Sequence, residues 1–211
     1  ELKNKKIKSK VISVNDKLNL NYHKLIKNEY FHNKNNHQNL SYIFAICKKL
    51  KINKKNILKI INNFHGLKFR QQIIYNSKKL TIINDSKSTS FSSTINLISS
   101  LNNVFWILGG LPKKGDKFKF NKNKNLNLKA FIYGRHKKFF IKNLKSKILF
   151  ETSKNLKDAF KKVILEIKNK KNKKKTTILF SPCSASFDSF SNFEERGEYF
   201  NYLVKNYKIK I

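Results

Sequence analysis

The chain has 211 residues, a formal net charge of +35, 39% hydrophobic residues, two cysteines and no methionine. That length suffices for one large or two small domains with a proper core. No apolar run approaches the roughly 20 residues that would span a bilayer, no signal peptide is visible, and Cys47 and Cys183 lack metal-ligand spacing, so a cytosolic setting is the expectation.

A charge of this size points first to nucleic acid or an anionic membrane. Yet only three of the 47 basic residues are arginine (Arg70, Arg135 and Arg196), and arginine is the side chain that grips bases and phosphates bidentately. Lys, Asn, Ile and Phe are enriched together, the mark an AT-rich genome leaves on permissive surface positions. The lysine excess therefore reads as solvated faces, with a non-enzymatic basic nucleic-acid-binding module as the alternative. The missing initiator methionine gives the expectation that Glu1 is an internal position of a longer protein.

Residues 1–30 are Lys/Asn-rich, with one short apolar run at Val11–Val14 that reads as a strand. Apolar residues at helical spacing predict helices over about 36–50 and 56–64. Gly66 follows as a stop, and a domain boundary is placed there. Beyond it, Ile73–Tyr75 and Leu80–Ile83 flank a turn at Asn76-Ser77 and predict a hairpin or two neighbouring strands. Next come a helix over about 91–101, strands at 104–108 and 130–133, and a helix near 137–144. A strand at 148–150, a helix over about 155–167, a strand at 177–180 and a helix over about 191–206 complete the pattern. Such alternation argues for an α/β fold with a mostly parallel sheet flanked by helices.

The unusual residues fall just after strands: Asn84–Thr89, Gly109–Asp116, Gly134-Arg135 and Ser181–Asp188. In a parallel sheet the carboxyl ends share one edge, where ligands bind, so four distant segments converge on one crevice. Lys87 and Lys113 there suit carboxylate or phosphate, Thr89 and Ser186 add hydroxyls, and Asp85 suits a sugar diol. Gly109-Gly110 and Pro112 fix the turn that carries Lys113.

Other readings fit less well. Ser186 lacks a Gly-x-Ser-x-Gly elbow and a matched histidine, and Gly109-Gly110 is not a dinucleotide fingerprint. Asp188, Glu194 and Glu195 read as acceptors for the local turn and the first turn of the last helix. Phe187, Phe190 and Phe193 read as core before ligand platform. His32, His37 and His65 show no zinc spacing, and no metal-binding set is assigned within the chain.

On these residues the chain resembles the Mur ligases, in particular their D-glutamate-adding branch. The resemblance rests on His32-Asn33-x-x-Asn36, Phe64-x-Gly66-Leu67-x-x-Arg70, Asn84-Asp85-Ser86-Lys87-x-Thr89 and Leu108-Gly109-Gly110-x-x-Lys113. Ser181-Pro182-x-x-Ala185-Ser186-Phe187-Asp188-x-Phe190, followed by Asn192-Phe193-Glu194-x-Arg196-Gly197, completes it. It implies that residues 1–66 are the C-terminal part of a central ATP-binding domain and 67–211 a Rossmann-like C-terminal domain for the incoming amino acid. It further implies ATP-dependent ligation of D-glutamate to UDP-N-acetylmuramoyl-L-alanine through an acyl phosphate, in cytoplasmic peptidoglycan precursor synthesis. Magnesium would be held by residues of a preceding segment, and the protein would be monomeric, without specific nucleic acid or membrane insertion.

By the same resemblance Asn33, Asn36, Arg70 and Asp85 would contact ATP. Lys87, Thr89, Lys113, Ser186, Phe187 and Phe193 would hold D-glutamate, with Lys87 and Lys113 the catalytic cations. The family's phosphate loop is not found in the sequence, so this stretch alone is expected to be inactive. The family usually has histidine just before the arginine; here it is Phe69.

Overall fold

A computed structural model describes residues 13–14, 23–31, 34–120, 127–169 and 174–207. The chain forms two compact units, 1–65 and 66–211. In the first, single 3-10 turns at His23–Leu25 and Glu29–Phe31 precede helices α1 (Lys34–Lys49) and α2 (Lys54–Asn62). Ile26, Phe31, Leu40, Phe44, Ile57 and Ile61 make its small core. Asn53 caps α2 by accepting the Lys55 amide at 2.8 Å. At the other end Asn28 Nδ2 donates to the carbonyls of Ile61, in the last turn of α2, and of Phe64 just beyond it. Of the strand expected at 11–14, only Ser13 and Val14 are described, and they belong to no regular element.

The second unit is a six-stranded sheet of β1 (Gln72–Asn76), β2 (Leu80–Asn84), β3 (Val104–Gly109), β4 (Leu128–Tyr133), β5 (Leu149–Thr152) and β6 (Thr176–Phe180). The order is β1-β2-β6-β3-β4-β5; β1 runs antiparallel to β2, with a bulge between Ile73 and Tyr75, and all other pairs are parallel. Helices α3 (Phe91–Ser99), α4 (Lys137–Leu144), α5 (Leu156–Asn169) and α6 (Phe193–Asn206) flank it. Every residue of β2, β3 and β6 is buried, as continuous apolar runs in a doubly covered sheet should be.

The period-2 alternation of a strand splits these runs between two cores. Phe105, Ile107, Phe131 and Phe180 join Phe160, Val163 and Phe200 of α5 and α6 on one face. Val104, Trp106, Leu108, Ile132 and Leu179 join Phe91, Ile98, Phe140 and Leu144 of α3 and α4 on the other. Trp106 keeps its indole N–H satisfied by donating to the Ser181 carbonyl at 2.8 Å.

Phe69, the departure from the family's histidine, has a packing role. It adopts a left-handed backbone (φ 61) and is buried, with its ring edge-on to Phe193 at 6.5 Å between centroids. Its ring occupies the space above Gly197, where a Cβ would lie 2.3 Å from Cδ1. Gly197→Ala should therefore destabilise the fold by about 1–3 kcal/mol through overpacking. In urea melts the penalty should shrink when Phe69 is also replaced by alanine; an unchanged penalty would refute this packing argument.

Candidate functional site

β2, β6, β3, β4 and β5 end at one edge, and β6 enters the sheet between β2 and β3 although it is last in sequence. That is where strand order reverses, the position of ligand crevices in open α/β sheets. Three loops meet there. The Asp85 amide donates to the Phe180 carbonyl at 2.7 Å, and the Ser184 amide to the Ser88 carbonyl at 3.3 Å. Leu111 and Ala185 exchange amide–carbonyl bonds at 3.0 and 2.9 Å as an isolated antiparallel bridge. This close approach requires glycine at position 110, because a Cβ there would lie 2.4 Å from Ser184 Oγ. Asp116, from the loop after β3, accepts the Phe91 amide at 2.8 Å and so closes the first turn of α3.

Arg196, on the first turn of α6, locks the arrangement. It is 1% exposed, and Nη2 donates to the Ser86 carbonyl at 2.7 Å and the Ser184 carbonyl at 3.0 Å, while Nε donates to Ser86 Oγ at 3.1 Å. Burial pulls its pKa down, opposed by the nearby Tyr133 and Asp188. Asp188 does not bond the local turn as expected: both carboxylate oxygens are buried, beside Gly134, without a hydrogen-bond partner among the described residues. Glu195 does so, accepting the Ser191 amide at 2.7 Å, which lowers its pKa.

Beneath the loops lies a buried hydroxyl network. Ser88 Oγ meets Thr94 Oγ1 at 2.6 Å, Thr94 meets Ser181 Oγ, and Ser181 donates to Asp85 Oδ2 at 2.7 Å. Cys183 closes it with a 3.1 Å bond to Thr94; burial pushes its thiol pKa far up, so it is an inert core group.

The predicted residues separate into groups. Lys87 and Phe193 come together, with Nζ 3.7 Å from the ring centroid in a cation–π contact. Thr89 and Lys113 are exposed on the loops after β2 and β3. Ser186 is buried, and its carbonyl accepts the amides of Ser189 and Phe190. Phe187 is 72% exposed, so it does not belong to the core as its residue type suggested; Phe190 packs partly against that core. Arg70 is exposed and close enough to Asp85 to stabilise its charge. Asp85 itself is buried, with Oδ1 accepting the Gln71 amide at 3.1 Å and Oδ2 the Ser181 hydroxyl. Asn36 lies in the first unit, buried, with Nδ2 donating to the Tyr30 carbonyl at 2.8 Å. Asn33 lies outside the described residues. The clamp of Arg196 and the hydroxyl network were not anticipated. The signal for the first was the survival of arginine in a chain where lysine is otherwise the rule.

The loops after β2, β3 and β6, which bear Lys87, Lys113 and small hydroxyl residues, meet at the carboxyl edge of a mostly parallel sheet, the edge at which open α/β folds bind ligands. No protein-family model matches the chain. The chain belongs to the Mur ligase family, on its similarity to UDP-N-acetylmuramoylalanine–D-glutamate ligases. That of Wolbachia sp. subsp. Brugia malayi is 38% identical over 165 residues, 78% of this chain and 33% of the relative. That of Rickettsia felis is 34% identical over 207 residues, 95% of this chain and 45% of the relative. The chain thus spans a third to under half of the length of these relatives. Among solved structures, UDP-N-acetylmuramate-alanine ligase MurC from Thermotoga maritima matches with a TM-score of 0.55 at 15% identity, covering 83% of this chain and 39% of that one. MurF from Acinetobacter baumannii matches at 0.53 and 13%, covering 82% and 38%. These two establish the fold.

Two outcomes test the site's framework. Arg196→Lys, which keeps the charge but cannot hold both carbonyls and the hydroxyl, should cost on the order of 3 kcal/mol in chemical denaturation. Burial raises the Asp85 pKa from 3.8 to about 7, against the lowering effects of Ser181, Gln71 and Arg70. A carboxyl raised on folding stabilises fully below its unfolded value, and that contribution is lost as pH climbs through the folded one. Urea midpoints of the native chain relative to Asp85→Asn should therefore fall between pH 4 and pH 8; a constant difference would disprove the shift.

Proposed function

We propose that this chain supplies the amino-acid-binding part of an enzyme that joins D-glutamate to UDP-N-acetylmuramoyl-L-alanine in cytoplasmic peptidoglycan synthesis, at the expense of ATP. Residues 1–66 belong in this reading to the ATP-binding domain and 67–211 to the C-terminal domain. The carrying observation is the ammonium of Lys87, held 3.7 Å over Phe193 between loops fastened by Arg196, at the reversal of strand order. The identity to D-glutamate ligases from two bacterial groups supports it.

The chemistry asked of these residues is positioning and charge. Lys87 and Lys113 hold the two carboxylates of D-glutamate through charge-assisted bonds, with Thr89 and Ser186 adding hydroxyl contacts and Phe187 and Phe193 lining the side. Orienting the amine this way makes its attack on the activated L-alanyl carboxylate effectively unimolecular. ATP supplies the activation, and Arg70 and Asp85, with Asn33 and Asn36 of the first unit, are assigned to the nucleotide. Asp85, which accepts from Gln71 and Ser181 inside the protein, also fixes the loop that bears Lys87. The described residues contain no cluster of three or more side chains that could hold a metal ion. Among the described residues no helix is long and apolar enough to cross a membrane.

Titrating D-glutamate into the isotopically labelled chain should shift the amides of Lys87, Lys113 and Ser186, whereas L-glutamate should not. Lys87→Ala should weaken the effect about tenfold or more. The 211-residue chain alone should show no ligase turnover. Silence toward D-glutamate together with tight, steeply salt-dependent RNA binding would instead favour the basic-module reading that the +35 charge suggests.

A further inference from the structure

We propose that a second cleft, at the carboxyl end of β5, binds a phosphate-type oxyanion, either free or carried by a small phosphorylated molecule. The cleft has a volume of about 480 Å³ and is lined by Lys137, Ser153, Lys154, Lys161 and Lys162, with Asp158 the one carboxylate on its wall. Lysine is so common in this chain that its presence alone decides nothing. Two other features point to a ligand.

The first is Ser153. It is 5% exposed, and its Oγ is buried without a hydrogen-bond partner among the described residues. Its amide is fixed by donation to the Ile132 carbonyl at 2.8 Å, which extends the β4–β5 ladder by one residue and holds the side chain in place. A buried hydroxyl left unpaired is costly, and a ligand oxygen accepting from it removes the cost.

The second is the start of α4, whose first residue, Lys137, stands on the cleft wall. The N-cap residue His136 makes no side-chain cap bond, and the first turn contains no acidic residue. Lys137 and Lys138 instead place positive charge at the positive end of the helix dipole, an arrangement that an anion relieves. Lys162 is already engaged, donating to the Thr152 carbonyl at 2.6 Å and standing 3.7 Å from Glu151. Lys137, Lys154 and Lys161 are the cations assigned to the ligand, which they must hold against the repulsion of Asp158 on the same wall.

The cleft is separate from the crevice at β2, β6 and β3. It lies two strands beyond β3, roughly 10 Å along the same edge, joined through the Gly134 amide, which donates to the Lys154 carbonyl at 3.3 Å. The proposal does not rest on the ligase reading.

Isothermal titration of the whole 211-residue chain with inorganic phosphate, pyrophosphate and ADP, at about 0.15 M salt, tests it. The expected result is one saturable site. Lys154→Ala/Lys161→Ala should weaken it about tenfold or more, and Ser153→Ala by about threefold or more. Lys48→Ala/Lys49→Ala, on α1 of the other unit, should leave it unchanged. Preference for ADP, lost in the cleft variants, would assign a nucleotide phosphate; equal affinity for pyrophosphate would assign the free anion. Equal weakening by both lysine pairs, no effect of Ser153→Ala, or saturation by none of the three probes would overturn the site. Since the titration reads binding alone, its failure leaves the ligase proposal standing.

Discussion

The framework of the crevice depends on the burial of one guanidinium. Arginine does not give up its proton in proteins, so taking it out of water has to be offset by donors finding acceptors. Arg196 meets that requirement with the carbonyls of Ser86 and Ser184 and the hydroxyl of Ser86. Both carbonyls belong to loops at strand ends, one after β2 and one after β6. A single side chain thereby fixes the loop that carries Lys87 to the loop that carries Ser186. The buried carboxylate oxygens of Asp188 and the hydroxyl of Tyr133 lie close enough to favour the charged guanidinium. Lysine has three donors on one atom and could not span the same set.

Around this clamp the polar groups are ordered by depth. The outermost, Thr89 and Lys113, face solvent; Lys87 is half-buried against Phe193; Ser88, Thr94, Ser181, Cys183 and Asp85 form the sealed layer below. A buried hydroxyl network in which each member has its partner is stiff. Loops built on it present their side chains as a rigid rim, which is what recognition of a small charged molecule requires.

Much of this architecture was legible in the sequence. Helical spacing placed α4 at its observed bounds, and the apolar runs located all six strands to within a few residues. Position after a strand correctly marked the loops that converge. What escaped were relations between distant parts of the chain. Phe69 reads locally as a lost polar group, and only the fold brings its ring over Gly197, 128 positions later. Asp85 reads as a sugar-diol acceptor; that Gln71 and Ser181 also donate to it follows only from the β1–β2 and β2–β6 pairings. Phe187 reads as core by type, yet the turn through Ser186–Phe190 leaves it outside. The insertion of β6 between β2 and β3 has no local signature at all.

That insertion has a consequence for the order in which the protein is made. β2 and β3 are made before β6 and are not hydrogen-bonded to each other; each waits for β6, the last of the sheet's six strands in sequence. Until then the sheet has an open seam along its middle, with two apolar strands exposing unpaired edges. The carbonyls that Arg196 gathers lie on either side of that seam. Nascent chains that stall before residue 176 therefore carry unpaired edges, and the loops that Arg196 joins cannot yet be fastened.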